Sequence, residues 1–327
     1  MSKIPALLSI VGLTLALTAC GSSDTPAATS TPAAADAAFS ECTAPGAVSD
    51  AVDVTGDFGA VPAFKFAEPL KPATTQRTVA IKGTGTTEAG AGSLVGVSLS
   101  VYNGTTGATV QETKYSPDSH NEVIAVAGGF IPGLARAINC SSEGDRIVAV
   151  STAKDAFADT GTTGIAAGDS VVFVVDVISV AADRADGVDQ PAVAGQPSVE
   201  LADDGAPTIA IPDTDAPTEL QISTLKLGDG AVVADGDTVW VEYTGVIWGT
   251  GETFDSSWTT VGPATFVTNQ VVTGFSAALV GQTVGSQVIA VIPPEFGYGA
   301  EGNKGISGTD TLVFVVDIVA TAATPAA

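Results

Sequence analysis

The chain has 327 residues, with Lys+Arg 12 against Asp+Glu 36 and a formal net charge of −24. So acidic a surface repels a phosphate backbone, which excludes nucleic acid as a partner. A hydrophobic content of 45% with only 15% charged residues excludes a disordered acidic chain and leaves material for two domains of ordinary size.

Residues 1–19 read as an export signal: Lys3 forms a positive start, Ile4 to Ala16 is an apolar run too short to span a bilayer, and Leu17-Thr18-Ala19-Cys20 closes it. Leu-Thr-Ala-Cys before Gly21 resembles a bacterial lipobox, which implies a lipid on Cys20, and an ordinary cleaved signal is the other reading. Residues 20–39 are then the lipidated Cys and a flexible tether, because their Ser, Thr, Ala and Pro cannot bury enough surface to fold. The expected location is the extracytoplasmic face of the cell membrane, held there by acyl chains, since basic residues are too few. Cys42 and Cys140 remain as an even pair in an oxidising compartment, so they form either a disulfide or two buried thiols. With one His (His120) and no Cys-x-x-Cys, neither a metal nor a cofactor is expected.

From residue 40 onward, short Val, Ile and Thr runs alternate with Gly, Asp, Asn and Pro, a strand-and-turn grammar. Four ordered stretches recur. Val101-Tyr102-Asn103-Gly104 matches Glu242-Tyr243-Thr244-Gly245, and Phe130 to Ile138 matches Val271 to Leu279. Gly144 to Val150 matches Gly285 to Val291, and Val171 to Asp176 matches Leu312 to Asp317. Two copies of one domain are expected, at 40–180 and 206–320, with an acidic Pro-rich linker at 181–205 and a disordered tail at 321–327. The linker region carries Arg184 as its one base. Its continuation, Pro207 to Pro212, resembles Val61 to Phe66 and reads as an edge strand of the second copy. One short helix per copy, after Gly133 and after Gly274, makes the class α+β: an antiparallel sheet with a single helix.

Ten of the nineteen aromatics, including all three Trp, fall between residues 218 and 320. In that copy Val241-Glu242-Tyr243-Thr244-Gly245, Phe254-Asp255-Ser256-Ser257, Val271-Val272-Thr273-Gly274-Phe275 and Ile292-Pro293-Pro294 with Gly297-Tyr298-Gly299 stand in one order. Together they resemble an FKBP-type peptidyl-prolyl cis-trans isomerase domain. The resemblance implies a five- or six-stranded half-barrel wrapped on a short helix, and binding of proline-containing polypeptides and of macrolides of the FKBP class. Phe254, Phe266, Val271, Phe275, Ile306 and Phe314 would build the pocket, with Phe275 as floor where the family usually has Trp. The Val272 N–H and the Tyr298 hydroxyl would hold substrate carbonyls. Asp255, oriented by Tyr243, would face the reacting carbonyl, or else serves as a turn acid capping Ser257. Trp240 and Phe296 read as ordinary core.

On the same alignment the first copy keeps Tyr102 but has Val110 for Phe254, Gln111 for Asp255, Leu134 for Phe275 and Phe157 for Tyr298. It reads as a degenerate copy serving as a spacer or binding platform, with a β-sandwich as the alternative. The whole is expected to be a membrane-anchored prolyl isomerase assisting exported proteins, or else a non-catalytic surface module for Pro-containing or unfolded chains.

Overall fold

The computed structural model describes residues 41–115, 122–125, 131–157, 161–260 and 262–323. The expected signal, the lipidated Cys20, the tether and His120 lie outside them.

The first lobe opens with a one-turn helix, α1 (Ala47–Asp50), and a small hairpin of β1 (Asp53–Thr55) and β2 (Ala63–Lys65). Its sheet is built from β3 (Gln76–Ile81), β4 (Leu94–Asn103), β5 (Thr109–Glu112) and β6 (Glu122–Ala125), then α2 (Pro132–Ile138), β7 (Arg146–Ser151) and β8 (Val171–Val180). β9 (Val188–Asp189), β10 (Ser198–Leu201) and β11 (Pro207–Ala210) lead into the second lobe. There follow β12 (Gln221–Leu227), β13 (Thr238–Ile247), β14 (Thr253–Ser256), β15 (Ala264–Val267), α3 (Thr273–Leu279), β16 (Gln287–Ile292) and β17 (Leu312–Ala322).

The strand orders β3-β7-β8-β4-β5 and β12-β16-β17-β13-β14 are the same path through two antiparallel sheets, with β6 on β4 and β15 on β13 as the sixth strand of each. The family-like α+β architecture is therefore present twice. In both lobes the helix presses on one face of the sheet, placing Leu134 and Ile138, or Phe275 and Leu279, in the front core. Helix and sheet come this close because the first turn carries a glycine: a Cβ on Gly274 would stand 2.5 Å from the Ile292 side chain.

The opposite face of each sheet is covered too. Val54 and Phe64 of the β1–β2 hairpin pack on Tyr102, Val148, Val150, Val172 and Val174. Val199 and Ile209 of the β10–β11 hairpin pack on Val246, Trp248, Ile289, Val291, Val313 and Val315. This explains why β4, β16 and, after Arg146, β7 are apolar or neutral at successive positions and buried throughout, where a one-sided sheet would alternate. Two expectations change here. The stretch 181–205 is not a free linker, since β9 pairs with β12 and β10 pairs with β11. Nor is Pro207–Ala210 an edge strand of the main sheet: Val199 and Ile209 gain more by lying across its back.

Cys42 and Cys140 are joined by a disulfide that fixes the first described residues to the end of α2. Arg77 donates to the carbonyls of Ala137 and Cys140 there and so caps the helix end, while Asn139 donates to the carbonyl of Glu41 and holds the leading segment against it.

Candidate functional site

A pocket of about 310 Å³ opens on the front of the second lobe, lined by Tyr243, Phe254, Asp255, Phe266, Gln270, Val271, Val272, Phe275, Tyr298 and Phe314. Strand alternation sets its walls. On β13 the odd-numbered residues Val239, Val241 and Tyr243 face front, while Val246, and Trp248 just past the strand's end, face the back cover. β14 delivers Phe254 and Asp255, β15 delivers Phe266, and β17 delivers Phe314. Val271 and Val272 precede α3, and Phe275 rises from its first turn as the floor.

The aromatic rings meet mostly edge to face. Phe254 and Phe314 lie 5.4 Å apart at 89°, Phe275 and Phe314 5.0 Å at 66°, and Tyr243 and Phe266 5.7 Å at 64°. Gly245 makes the first of these possible, because a Cβ there would sit 2.6 Å from Phe254 and 2.9 Å from Phe314.

The Tyr243 hydroxyl donates to Asp255 Oδ2 at 2.5 Å, and the Ser256 N–H donates to Asp255 Oδ1 at 3.0 Å. Burial, the bond to Asp255 and the charges of Asp255 and Tyr298 all push the Tyr243 pKa up, so the phenol stays protonated and remains a donor. Asp255 is thus an oriented carboxylate at the mouth of an aromatic slot. Its alternative role as a cap for Ser257 is not what the geometry shows: the Ser257 hydroxyl donates to Glu242 and takes the Tyr243 N–H at 2.8 Å.

Nearly every residue expected at the pocket is brought together. Ile306 is the exception. Its bridge to Asn303 turns the side chain into the front core, where it is 8% exposed and does not line the pocket. Gln270 was not expected, and nothing but its place just before Val271 could have marked it. Trp240 is half-buried and belongs to neither core, because even-numbered β13 positions face away from the helix. Phe296 does pack on the front core. Among the described residues no group of His, Cys, Asp and Glu could hold a metal.

The first lobe needs a correction of register. Val101 pairs with Phe173 as Gly245 pairs with Phe314, and Leu99 pairs with Val175 as Tyr243 pairs with Val316. The counterpart of Tyr243 is therefore Leu99, three residues before Tyr102. An odd slip reverses the face. Tyr102 points to the back, its ring 3.6 Å from that of Phe64. Gln111 does stand in the place of Asp255 and Val110 in that of Phe254, as the pairings of β5 and β14 show. Ile165 repeats Ile306 at its own turn and is likewise core.

A two-sided antiparallel sheet wrapped on one short helix, with an aromatic slot bearing an oriented carboxylate, defines a class of apolar-pocket binding and isomerising domains. Residues 230–319 match the family described as "FKBP-type peptidyl-prolyl cis-trans isomerase". The chain is 39% identical over 113 residues to the "Probable FK506-binding protein" of Corynebacterium glutamicum, covering 35% of this chain and 96% of that one. It is 38% identical over 118 residues to the "FK506-binding protein" of Streptomyces anulatus, covering 35% and 95%. Among solved structures, FkpA from Escherichia coli aligns at 29% identity over 41% of this chain and 54% of that one, with a TM-score of 0.32. The chain belongs to the FKBP-type peptidyl-prolyl cis-trans isomerase family.

Proposed function

We propose that the second lobe isomerises X-Pro bonds of proteins exported across the cytoplasmic membrane, and that the chain works there as a lipid-anchored protein. The observation that carries the site assignment is the 2.5 Å bond from Tyr243 to Asp255 at the mouth of the aromatic pocket.

Rotation about an X-Pro bond sacrifices amide resonance against a barrier of about 20 kcal/mol without breaking a bond. No nucleophile is required. A catalyst must favour the twisted, less dipolar amide over the planar one, and each 1.4 kcal/mol of such preference is about tenfold in rate. Phe254, Phe266, Phe275 and Phe314 supply the apolar slot for the proline ring. The Val272 N–H and the Tyr298 hydroxyl would hold the flanking carbonyls. Asp255, fixed by Tyr243 and Ser256, would face the carbonyl carbon as its oxygen turns out of the amide plane. Proline-rich and unfolded segments are the substrates this arrangement fits, and macrolides of the FKBP class are its small-molecule ligands.

Support for the location comes from the Leu17-Thr18-Ala19-Cys20 motif and from a disulfide of the kind that persists outside the cytoplasm. The first lobe, with Leu99, Val110, Gln111 and Leu134 at the pocket positions, is a non-catalytic partner to the second.

The test is a cis-to-trans assay on an X-Pro peptide with the full chain. Asp255→Ala combined with Tyr298→Phe should remove most of the acceleration, and a rate equal to buffer for the unmodified chain overturns the assignment. Anchoring is tested separately: Cys20→Ser should move the protein from the membrane to the soluble fraction, and an unchanged distribution overturns it.

A further inference from the structure

Glu242 stands immediately before the pocket tyrosine, yet points away from the pocket. β13 turns Tyr243 to the front and Glu242 to the back, where the acid is only 7% exposed. A buried carboxylate is costly unless its partners compensate it. Here the neighbours do the reverse. Asp317 pairs with it directly across the sheet, Asp183 adds a second negative charge, and burial together with these two raises the Glu242 pKa. Arg184 and Lys226 act on Asp317, while the Ser257 hydroxyl is the group that favours the Glu242 charge.

That hydroxyl is the junction of the site. Ser257 Oγ donates to Glu242 Oε2 and accepts the Tyr243 N–H at 2.8 Å, at the point where β14 ends and the turn 257–259 begins. Two residues earlier, Asp255 takes the Tyr243 hydroxyl. The segment 255–257 is thus held on β13 by side chains as well as by the ladder: Asp255 through the pocket bond, Ser256 through Thr244 and the Tyr243 carbonyl, and Ser257 through the Tyr243 N–H and, from the back, Glu242. The first lobe serves as a control within the same chain. Ser98 occupies the place of Glu242, opposite Asp176, and Gln111 the place of Asp255, so both acids are missing from the copy without a complete pocket.

We propose that Glu242 is a positioning residue for isomerisation, gripping Ser257 from the back of the sheet and thereby fixing where β14 presents Asp255. The inference rests on the pocket reading given above. A carboxylate displaced by a fraction of an ångström weakens its interaction with the twisted amide without weakening the slot, so the effect belongs to the rate more than to the binding of the peptide.

The experiment measures kcat and KM of the full chain on one X-Pro peptide. Glu242→Ala and Ser257→Ala should each lower kcat about tenfold, with KM within about twofold. The double variant should fall no further than Ser257→Ala alone, because that change already removes the tie that Glu242 makes. Glu242→Gln retains an acceptor oxygen of the same reach and should recover at least half of the activity, which separates positioning from a loss of folding. In an Asp255→Ala background, Glu242→Ala should change kcat no further. An unchanged kcat in Glu242→Ala, or an equal loss with and without Asp255, overturns the proposal. If the unmodified chain fails to accelerate the peptide, it is the isomerase reading that falls.

Discussion

The two lobes share strand order, helix, back cover and even the core turn at Ile165 and Ile306, but they resolve the same interior with opposite chemistry. In the first lobe Arg146 pairs with Asp176 at 2.5 Å while donating to the carbonyls of Gly56, Asp57 and Ala60 in the hairpin turn. In the second, Gln287 takes the place of Arg146, and Asp317 has that amide and the Ala185 N–H for partners. At the front, Val101 and Val110 of the first lobe divide between them the space that Gly245 leaves to Phe254 in the second. Where the first lobe is neutralised by an ion pair and filled, the second keeps two acids facing each other on hydrogen bonds to neutral groups, and an open slot. Such a fold tolerates loss of its site because covered sheets hold it together, whereas the site depends on a few side chains at one mouth.

The sharpest way to break the comparison is Arg146→Ala. It leaves Asp176 buried without its cation and removes three hydrogen bonds to the hairpin turn, so the first lobe should lose about 3–5 kcal/mol. Trp240, Trp248 and Trp258 all lie in the second lobe, so the urea midpoint read by Trp fluorescence should barely move while the circular dichroism transition shifts or splits. A common shift in both signals would mean that the lobes unfold as one. The converse change writes the first lobe's pocket into the second: Phe254→Val, Asp255→Gln and Phe275→Leu together should lower kcat/KM by about a hundredfold or more, with the chain still folded. Retention of activity would show that the pocket residues do not separate the lobes.

Gly245→Ala should cost the second lobe about 1–3 kcal/mol by driving a methyl into Phe254, and adding Phe254→Val should restore much of it, as the valine pair of the first lobe implies. No rescue would mean that the two copies fill this space differently. The smallest effect concerns pH, and its sign differs between lobes. Burial opposes the charge of Asp145, but the Gly83 and Ser142 N–H groups and Lys82 outweigh it and hold its pKa below the ordinary range. Its stabilisation is present at neutral pH and is lost as pH falls through that lowered value. Glu242 and Asp317 are raised, first of all by burial, so their stabilising protonation is complete below the usual carboxylate value and is lost as pH rises through the folded ones. The Trp-reported urea midpoint should therefore rise modestly between pH 7.5 and 5. A fall would contradict the raised pKa values of this acid pair.

Much of the second lobe was legible in its residues. Phe254, Asp255, Val272 and Tyr298 must stand together for the pocket to exist, and each sits in a motif long enough to be placed. The back cover was not legible, since β1, β2, β10 and β11 are three or four residues long and show only one or two apolar positions each. The tyrosine of the first copy misled for a different reason. The copies differ in length between β5 and α2, so strand motifs before that point align three residues out of step with the helix and strands beyond it. Only hydrogen-bonded pairing reveals the slip. Ile306 is expected at the pocket through the family resemblance alone, and nothing in a sequence states which way a two-residue turn aims a side chain.

β17 is the last of the described strands but lies in the middle of its sheet, between β13 and β16, as β8 does between β4 and β7. Until residues 312–322 leave the machinery that makes or delivers the chain, β16 with β12 and β13 with β14 are separate fragments with no shared backbone bonds. The second lobe therefore cannot close its sheet until residues 312–317 are in place, and a chain cut before Leu312 would leave the two halves of that sheet unjoined.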